Sequence, residues 1–311
     1  MALILPQRAF AWTRAGHQAA AIIAQNRLSP QAMEKVRAIL GSDIGLDKIA
    51  LCADDIKKAS VMCGGAFYID HRPDTAAWHF IDIPTQLSPT ESSVGEHCHN
   101  RGEMGNCIVN RIREQLDILR DPKAAQAPKQ LALMFLVHLV VDAHQPLHAA
   151  TEIDRNGRSD RGGNAKPVWF KTPPRSKPTN LHFLWDSVIE TEEDARQIDS
   201  RALARKLDQA IRDEDARSWR KGDIIPIAAV ESFNTAKEKI YPAYHGHACR
   251  ESGAGIRDQM PASLRKQKQD GGYCGRYLDA EYQNRMQPIA YERLQKAGVR
   301  LAFLLEQALA N

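Results

Sequence analysis

Apolar residues recur along much of the chain with the three- and four-residue spacing of one helix face. The clearest segment opens with Ser29 and Pro30 and stops at Gly41. Serine caps the first amide groups of a helix, proline suits its first position, and glycine commonly ends it. The segment therefore predicts one complete amphipathic helix, with Met33 and Val36 on its apolar face.

Other segments show the same periodicity. The segment 107–119 repeats apolar residues before Pro122, and Pro128 opens a stretch that is apolar nearly all round, LALMFLVHLVVDA. A helix that is apolar on every side belongs in the middle of a fold. Amphipathic helices are also predicted over 200–211, 227–240 and 288–309.

The chain lacks a set of alternating apolar and polar segments joined by hairpin turns. We therefore predict an all-α fold in a single compact domain. Two segments, 151–180 and 243–275, are rich in polar residues, glycine and proline, and predict long loops. Loops of that length are usually functional or disordered.

Composition excludes several classes of protein. Hydrophobic residues make up 43% and charged residues 26%, a globular balance that excludes disordered and fibrous chains. The 42 basic and 38 acidic residues leave a charge of +4, too small for nucleic-acid binding by bulk electrostatics. A nucleic-acid partner would need a defined site. The longest apolar run, 131–141, is interrupted by His138 and is shorter than the roughly 18 residues of a membrane helix, so we predict no membrane insertion.

The N-terminus and the cysteines point to export. Residues 1–11 are apolar and end in Ala9-Phe10-Ala11, the pattern of a signal-peptidase site, but a complete signal needs about 15 residues or more. They are either the remnant of a longer leader or an N-terminal arm. The cysteines form three local pairs, Cys52 with Cys63, Cys98 with Cys107, and Cys249 with Cys274. Proximity alone suggests these pairs, and free thiols are the alternative to an oxidising compartment.

Histidine and aspartate cluster at the end of the central helix. His138 and Asp142 are four residues apart and share a helix face, Pro146 ends the helix, and His148 follows. Downstream, His182 and Asp186 repeat the four-residue spacing. One such pair is usually a salt bridge or a core histidine. Two pairs beside a third histidine indicate a metal site.

Further candidate ligands lie upstream, at His17, Asp54 and His79. The candidates are all imidazoles and carboxylates, with no thiolate. Such ligands leave zinc acidic enough to activate water, so the set favours a hydrolytic centre.

Several motifs together resemble a known family. They are W-x4-H from Trp12, A-D-D-I-K, W-H-F-I-D-I-P, H-L-V-V-D-A-H-Q-P-L-H, D-R-G-G-N and N-L-H-F-L-W-D. In this order they resemble the zinc-dependent type I single-strand nucleases. The resemblance implies an all-α fold like that of phospholipase C and the type I nucleases, with three zinc ions in one cleft.

The resemblance also implies which residues hold each ion. The first zinc would be bound by Asp54, His79, His138 and Asp142, the second by His148, His182 and Asp186, and the third by His17, Asp142 and the amine and carbonyl oxygen of Trp12. An amine coordinates zinc only when it is not an amide. Trp12 would therefore be the mature N-terminus, residues 1–11 a leader or its remnant, and 12–311 the single nuclease domain. Outside this context, Trp12 would be read as a core aromatic.

The implied activity is hydrolysis of single-stranded DNA and RNA to 5′-phosphorylated products, with removal of phosphate from 3′-mononucleotides. A hydroxide between zinc ions bridged by Asp142 would attack phosphorus in line. Lys57 stands where the family often has an arginine for the phosphate, and Phe80 and Asp82 resemble its base pocket. From their own context, Phe80 would be a core residue and Asp82 a helix cap. The enzyme is expected to be a secreted or periplasmic monomer.

Two more positions depart from the family pattern. Thr13 replaces a usual glycine, which suggests different packing around the terminal amine. Cys52 replaces a common tryptophan, which suggests a disulfide to Cys63.

Two alternatives stay open. A zinc phospholipase C shares the fold and the H-x3-D-x5-H core, but its pattern implies glutamate at the position of Asp186 and a wider gap between Trp12 and His17. A non-catalytic zinc protein is the second alternative, although structural zinc sites are usually closed and rich in thiolates.

Overall fold

Helices dominate the computed structural model, which describes residues 12–99, 107–172, 175–189, 199–246, 249–251 and 274–309. The predicted all-α fold is confirmed. The helices are α1 (Arg14–Asn26), α2 (Pro30–Leu40), α3 (Leu46–Ile49), α4 (Cys52–Asp55), α5 (Ile108–Arg120), α6 (Gln126–Asp142), α7 (Leu181–Asp186), α8 (Ser200–Gln209), α9 (Asp213–Ser218), α10 (Ile224–Thr235), α11 (Tyr241–Gly246) and α12 (Ala280–Leu309).

The helix α6 lies in the middle of the fold, as its apolar sequence predicts. Every residue from Ala132 to Asp142 is buried, and α1, α5 and α12 pack around the helix. Its last turns bring His138 and Asp142 into the core, where both are fully buried. Charged groups are seldom buried in this way unless they are paired or bind a metal.

Local signals fix the ends of α2 and α5 as predicted. The hydroxyl of Ser29 accepts a hydrogen bond from the amide of Ala32, and Gly41 ends α2 with a φ of 108°. The helix α5 follows Cys107 directly and ends at Arg120, before Pro122.

Three helices begin earlier than predicted. The largest difference is in α12, which starts at Ala280 and contains Pro288. Proline cannot donate the helical hydrogen bond, but Tyr282 and Met286 are buried on the preceding turns, so core packing outweighs the break. The other two are α6 and α10. Pro128 lies in the first turn of α6, and α10 starts at Ile224 and continues into a π-helical turn, Ala236–Ile240.

The prediction of long loops over 151–180 and 243–275 is wrong in part, because both segments contribute strands. The strands are β1 (Val61–Cys63), β2 (Phe67–Ile69), β3 (Ile83–Pro84), β4 (Ala150–Thr151), β5 (Pro167–Thr172), β6 (Arg175–Asn180), β7 (Cys249–Glu251) and β8 (Cys274–Asp279). The order β6-β5-β8-β7 forms one sheet, in which β5 and β8 are parallel and the outer pairs are antiparallel. β6 leads into α7, whose amide at Phe183 donates to the side chain of Asn180.

Two of the three suggested disulfides are confirmed, whereas the third, between Cys249 and Cys274, depends on side chains outside the described part of the structure and stays a prediction. Cys52 is bonded to Cys63 and Cys98 to Cys107, with Cα–Cα distances of 5.6 and 5.1 Å. The first bond joins α4, which carries Asp54, to β1. Among the described helices, none combines the length and apolar character that a membrane span requires.

Candidate metal centre

Side chains from five parts of the chain meet in one buried region. In each of three groups, the potential ligand atoms lie within 4.8 Å of one another. The groups are His17, His138 and Asp142; Asp54, His79 and His138; and His148, His182 and Asp186. Every imidazole and carboxylate predicted as a metal ligand from the sequence belongs to one of these groups. All of them are buried.

Asp142 lies between the first two groups and turns one oxygen toward each. Its Oδ1 is 3.0 Å from Nε2 of His17, while its Oδ2 is 2.7 Å from Nδ1 of His79 and 3.1 Å from Nε2 of His138. Burial opposes ionisation of Asp142, but His138 and the hydrogen bonds from the three imidazoles hold its pKa well below the usual range. Asp142 is therefore a carboxylate at neutral pH, with an oxygen available to each of two groups.

Backbone carbonyls orient three of the histidines. In each case Nδ1–H donates to a carbonyl oxygen, from His138 to Ala50 at 2.7 Å, from His148 to His79 at 2.6 Å and from His182 to Gly162 at 2.7 Å. In His148 and His182 a hydrogen bond from Nδ1 leaves the lone pair on Nε2, which is the arrangement of a metal-bound histidine, whereas Nε2 of His138 lies against Asp142.

The charge state of the histidines also suits ligation. Burial lowers the pKa of His148 and of His182 to about 4, and burial together with Lys57 lowers the pKa of His79 to about 4. These imidazoles are neutral near pH 7. In His138 burial acts in the same direction, but Asp142 and Asp54 outweigh it and raise the pKa.

Four buried atoms of the candidate ligands have no hydrogen-bond partner among the described residues. They are Oδ2 of Asp54, Nε2 of His79, Nε2 of His148 and Oδ2 of Asp186. Each unsatisfied buried group costs about 1–3 kcal/mol. A divalent cation in each group would satisfy these atoms, so the donor set fits zinc.

The contacts of His17 support the same conclusion. Its Nδ1 lies 2.9 Å from the carbonyl oxygen of Trp12, and its Nε2 lies 3.0 Å from Oδ1 of Asp142. His17 thus has an oxygen atom next to each ring nitrogen, and imidazole together with oxygen is a donor set that zinc accepts.

Trp12 and Thr13 bring the start of the described chain against the cluster. Trp12 is fully buried, and the amide of Thr13 donates to the carbonyl oxygen of Asp186 at 2.9 Å. Thr13 has a φ of −55°, which any residue adopts, so the backbone here does not require the family's glycine. Residues 1–11 lie outside the described part of the chain.

Lys57 lies at the edge of the cluster. Its Nζ is 2.6 Å from Oδ1 of Asp54, and its side chain keeps 20% of its surface exposed. Burial raises the pKa of Asp54, but His138 and Lys57 outweigh it and hold this pKa well below its usual range. Lys57 thus places a partly exposed amino group beside the buried ligands.

Phe80 and Asp82 follow His79 directly and are half-buried. The intervening Ile81 donates its amide to the carbonyl oxygen of His148 at 2.8 Å, which fixes this segment beside the cluster. Asp82 has a φ of 52°, a left-handed conformation that is uncommon for a residue other than glycine. Both residues lie next to the candidate ligands, and their role in base binding remains a prediction.

Gln145 is a further residue of the site that was not predicted from the sequence. It is fully buried, its Nε2 donates to Oδ1 of Asp186 at 2.7 Å, and its Oε1 accepts from the amide of Leu147 at 2.6 Å. It therefore leaves Oδ2 of Asp186 as the oxygen free for a metal. Its position within H-Q-P-L-H, three residues from both Asp142 and His148, is the only signal of this role in the sequence.

Gly162 fixes His182 from outside the ligand set. It has a φ of 61°, its carbonyl oxygen accepts from His182, and a Cβ added to it would lie 2.1 Å from the carbonyl oxygen of Leu147. No side chain fits there without moving the backbone that carries His182 or His148.

Gly162→Ala is expected to lower zinc affinity about 10- to 100-fold, the usual effect of losing a partner that orients a ligand. Competition with a chromogenic chelator measures the affinity. The matched control is Gly157→Ala, because Gly157 has a φ of 75° but its added Cβ would meet nothing within 4 Å. Equal zinc affinities in the two variants would contradict the assignment.

Comparison with known proteins agrees with this geometry. A sequence model of the S1/P1 Nuclease family matches residues 12–310. The chain is 28% identical to Endonuclease 2 of Arabidopsis thaliana over 307 residues, covering 95% of this chain and 90% of that protein. It is 27% identical to Nuclease S1 of Aspergillus oryzae, covering 98% and 94%, and 28% identical to Nuclease P1 of Penicillium citrinum, covering 84% and 94%.

Proposed function

The chain belongs to the S1/P1 nuclease family, and from that membership we propose a zinc-dependent nuclease of single-stranded DNA and RNA. Its products would be 5′-phosphorylated, and it would also remove phosphate from 3′-mononucleotides. The proposal rests on the position of Asp142. Its two oxygens face two different groups of ligands, and the third group is close by.

We propose one zinc ion in each group. Asp54, His79, His138 and Asp142 would hold the first, His148, His182 and Asp186 the second, and His17, Asp142 and the main chain of Trp12 the third. Zinc at these positions would lower the pKa of water and neutralise charge on the phosphate. The shared carboxylate of Asp142 would set the spacing of two of the ions.

Residues around the ligands would hold the substrate. Lys57, partly exposed beside Asp54, would pair with the phosphate as a compact charge without the two-pronged geometry of arginine. Phe80 would stack on a base, and Asp82 would accept hydrogen bonds from base amino groups. Stacking of this kind needs an unpaired base, which accounts for a preference for single strands.

We propose that the mature protein begins at Trp12 and forms one domain over 12–311. The carbonyl oxygen of Trp12 lies 2.9 Å from Nδ1 of His17, and the family match starts at Trp12. The Ala9-Phe10-Ala11 sequence before it suits removal of a leader. Together with the two disulfides, this supports a secreted or periplasmic protein, which we propose to be a monomer.

The substrate class is tested by assaying single-stranded DNA and phosphatidylcholine side by side. We expect hydrolysis of the DNA alone, loss of activity on chelation, and recovery when zinc is restored. Turnover of the lipid alone would favour a phospholipase C. A zinc-replete protein that hydrolyses neither would favour a non-catalytic zinc protein.

A further inference from the structure

The D-R-G-G-N segment contains an unusual backbone beside the ligand group of His148, His182 and Asp186. Arg161, Gly162 and Gly163 adopt left-handed φ values of 55°, 61° and 80° in succession. Glycine adopts this conformation freely, but arginine does not. Among the described residues other than glycine, only Asp82 also has a positive φ, and it too lies beside the centre.

Hydrogen bonds on both sides hold this segment in place. The buried carboxylate of Asp160 accepts from the hydroxyl of Thr151 at 2.9 Å, from the amide of Glu152 at 3.0 Å and from the hydroxyl of Tyr241 at 3.2 Å. On the other side, the side chain of Asn164 donates to the carbonyl oxygen of Arg161 at 2.9 Å. The position of Arg161 is therefore set by the fold.

The side chain of Arg161 is exposed, and within the described part of the chain its guanidinium has no hydrogen bond or ion pair. Arg158, on the same loop, differs in this respect. Its Nε lies 2.9 Å from Oδ2 of Asp154, whose carboxylate also accepts from the amide of Arg158. Of these two arginines, Arg158 is paired with a carboxylate of the protein and Arg161 is available to an anion.

The position of the main chain at Arg161 indicates which phosphate its side chain would meet. The next residue, Gly162, bonds to Nδ1 of His182, whereas Nε2 of His182 faces the ligand group with Asp186. Arg161 therefore starts behind His182, on the side away from the position proposed for a metal. From there the guanidinium would meet a phosphate next to the scissile one, and Lys57 would bind the scissile phosphate from the side of Asp54.

We propose that Arg161 binds a flanking phosphate of the single-stranded substrate. The inference rests on the proposed nuclease function. Arginine matches the geometry of a phosphate, and an exposed guanidinium loses little hydration before it binds. The unfavourable backbone at Arg161 is then explained by a binding role, as strained residues often are near functional sites.

The test compares wild-type protein with Arg161→Gly, Arg161→Lys and the control Arg158→Ala, all loaded with zinc. Each is assayed on an oligothymidylate and on a 3′-mononucleotide over a range of salt. For Arg161→Gly we expect KM for the oligomer to rise about five- to tenfold with kcat retained. The slope of log KM against log salt should fall by about 0.7, the loss of one phosphate contact on a single strand.

Other measurements separate binding from a structural role. The KM for the mononucleotide, which has no flanking phosphate, should not change in Arg161→Gly. Its Tm should stay level or rise, because glycine accepts the left-handed conformation. Arg161→Lys should keep the salt slope, and Arg158→Ala should match the wild type.

Three results would overturn the proposal. They are an unchanged KM and salt slope in Arg161→Gly, an equal loss on both substrates, and a lower Tm accompanied by loss of zinc. A wild-type protein that hydrolyses neither substrate would instead refute the proposed function.

Discussion

Asp142→Asn should reduce hydrolysis of single-stranded DNA by about a thousandfold or more, and it should also lower the zinc content. The carboxylate of Asp142 has an oxygen within 3.0 Å of His17 and another within 2.7 Å of His79, so one substitution weakens two ligand groups. An amide is neutral and presents one oxygen, and it cannot serve two cations in this way.

Steady-state kinetics and the zinc count per chain measure the two effects separately. Asp117→Asn is the matched control, because Asp117 lies on α5 with 76% of its side chain exposed. The Tm of both variants, measured with and without a chelator, shows whether Asp142→Asn still folds. A folded Asp142→Asn protein with full activity would refute the bridging role of Asp142.

Local sequence signals were enough to predict several helices of the fold. In α2, the cap at Ser29 and the stop at Gly41 act within one or two turns of the residues that they position. The same holds for the four-residue spacing of His138 and Asp142, which places both on one face of α6. In these places, neighbours along the chain determine the geometry.

The sheet escaped prediction because its central pair is not local. β5 has β6 as an antiparallel neighbour close by in the chain, but Val168 pairs with Arg276 in parallel strands, and no hairpin turn joins β5 to β8. Nor do their sequences alternate between apolar and polar residues, since Trp169 and Phe170 are adjacent and Arg276 follows Gly275. Only the tertiary pairing distinguishes these segments from loops.

The ligand residues could be predicted from the family motifs, but their supports could not. Gln145 and Gly162 act through one hydrogen bond each, to Asp186 and His182. The spacing of residues along the chain does not reveal which carbonyl or carboxylate lies opposite such a group. These supports become visible only when the elements carrying Asp186 and Leu147 are brought together.

The start of the mature chain should affect activity as strongly as a ligand does. A protein that keeps Ala11 in front of Trp12 is expected to bind about two zinc ions instead of three, one for each remaining group. Its activity should fall at least 100-fold. The carbonyl oxygen of Trp12 lies beside His17, so the nitrogen of the same residue lies close to this group. As an amide, that nitrogen has no lone pair available for zinc.

A removable N-terminal extension gives the most direct test, since one preparation can be measured before and after a protease exposes Trp12. We expect the zinc content to rise by about one ion per chain and the activity to appear with it. As a control, the same cleavage of an otherwise identical Asp142→Asn protein should leave activity low, because the amine alone cannot complete a group that lacks its carboxylate. If the extended wild-type protein were already fully active and fully loaded, the amine could not be a ligand, and the group of His17, His138 and Asp142 would hold its ion without it.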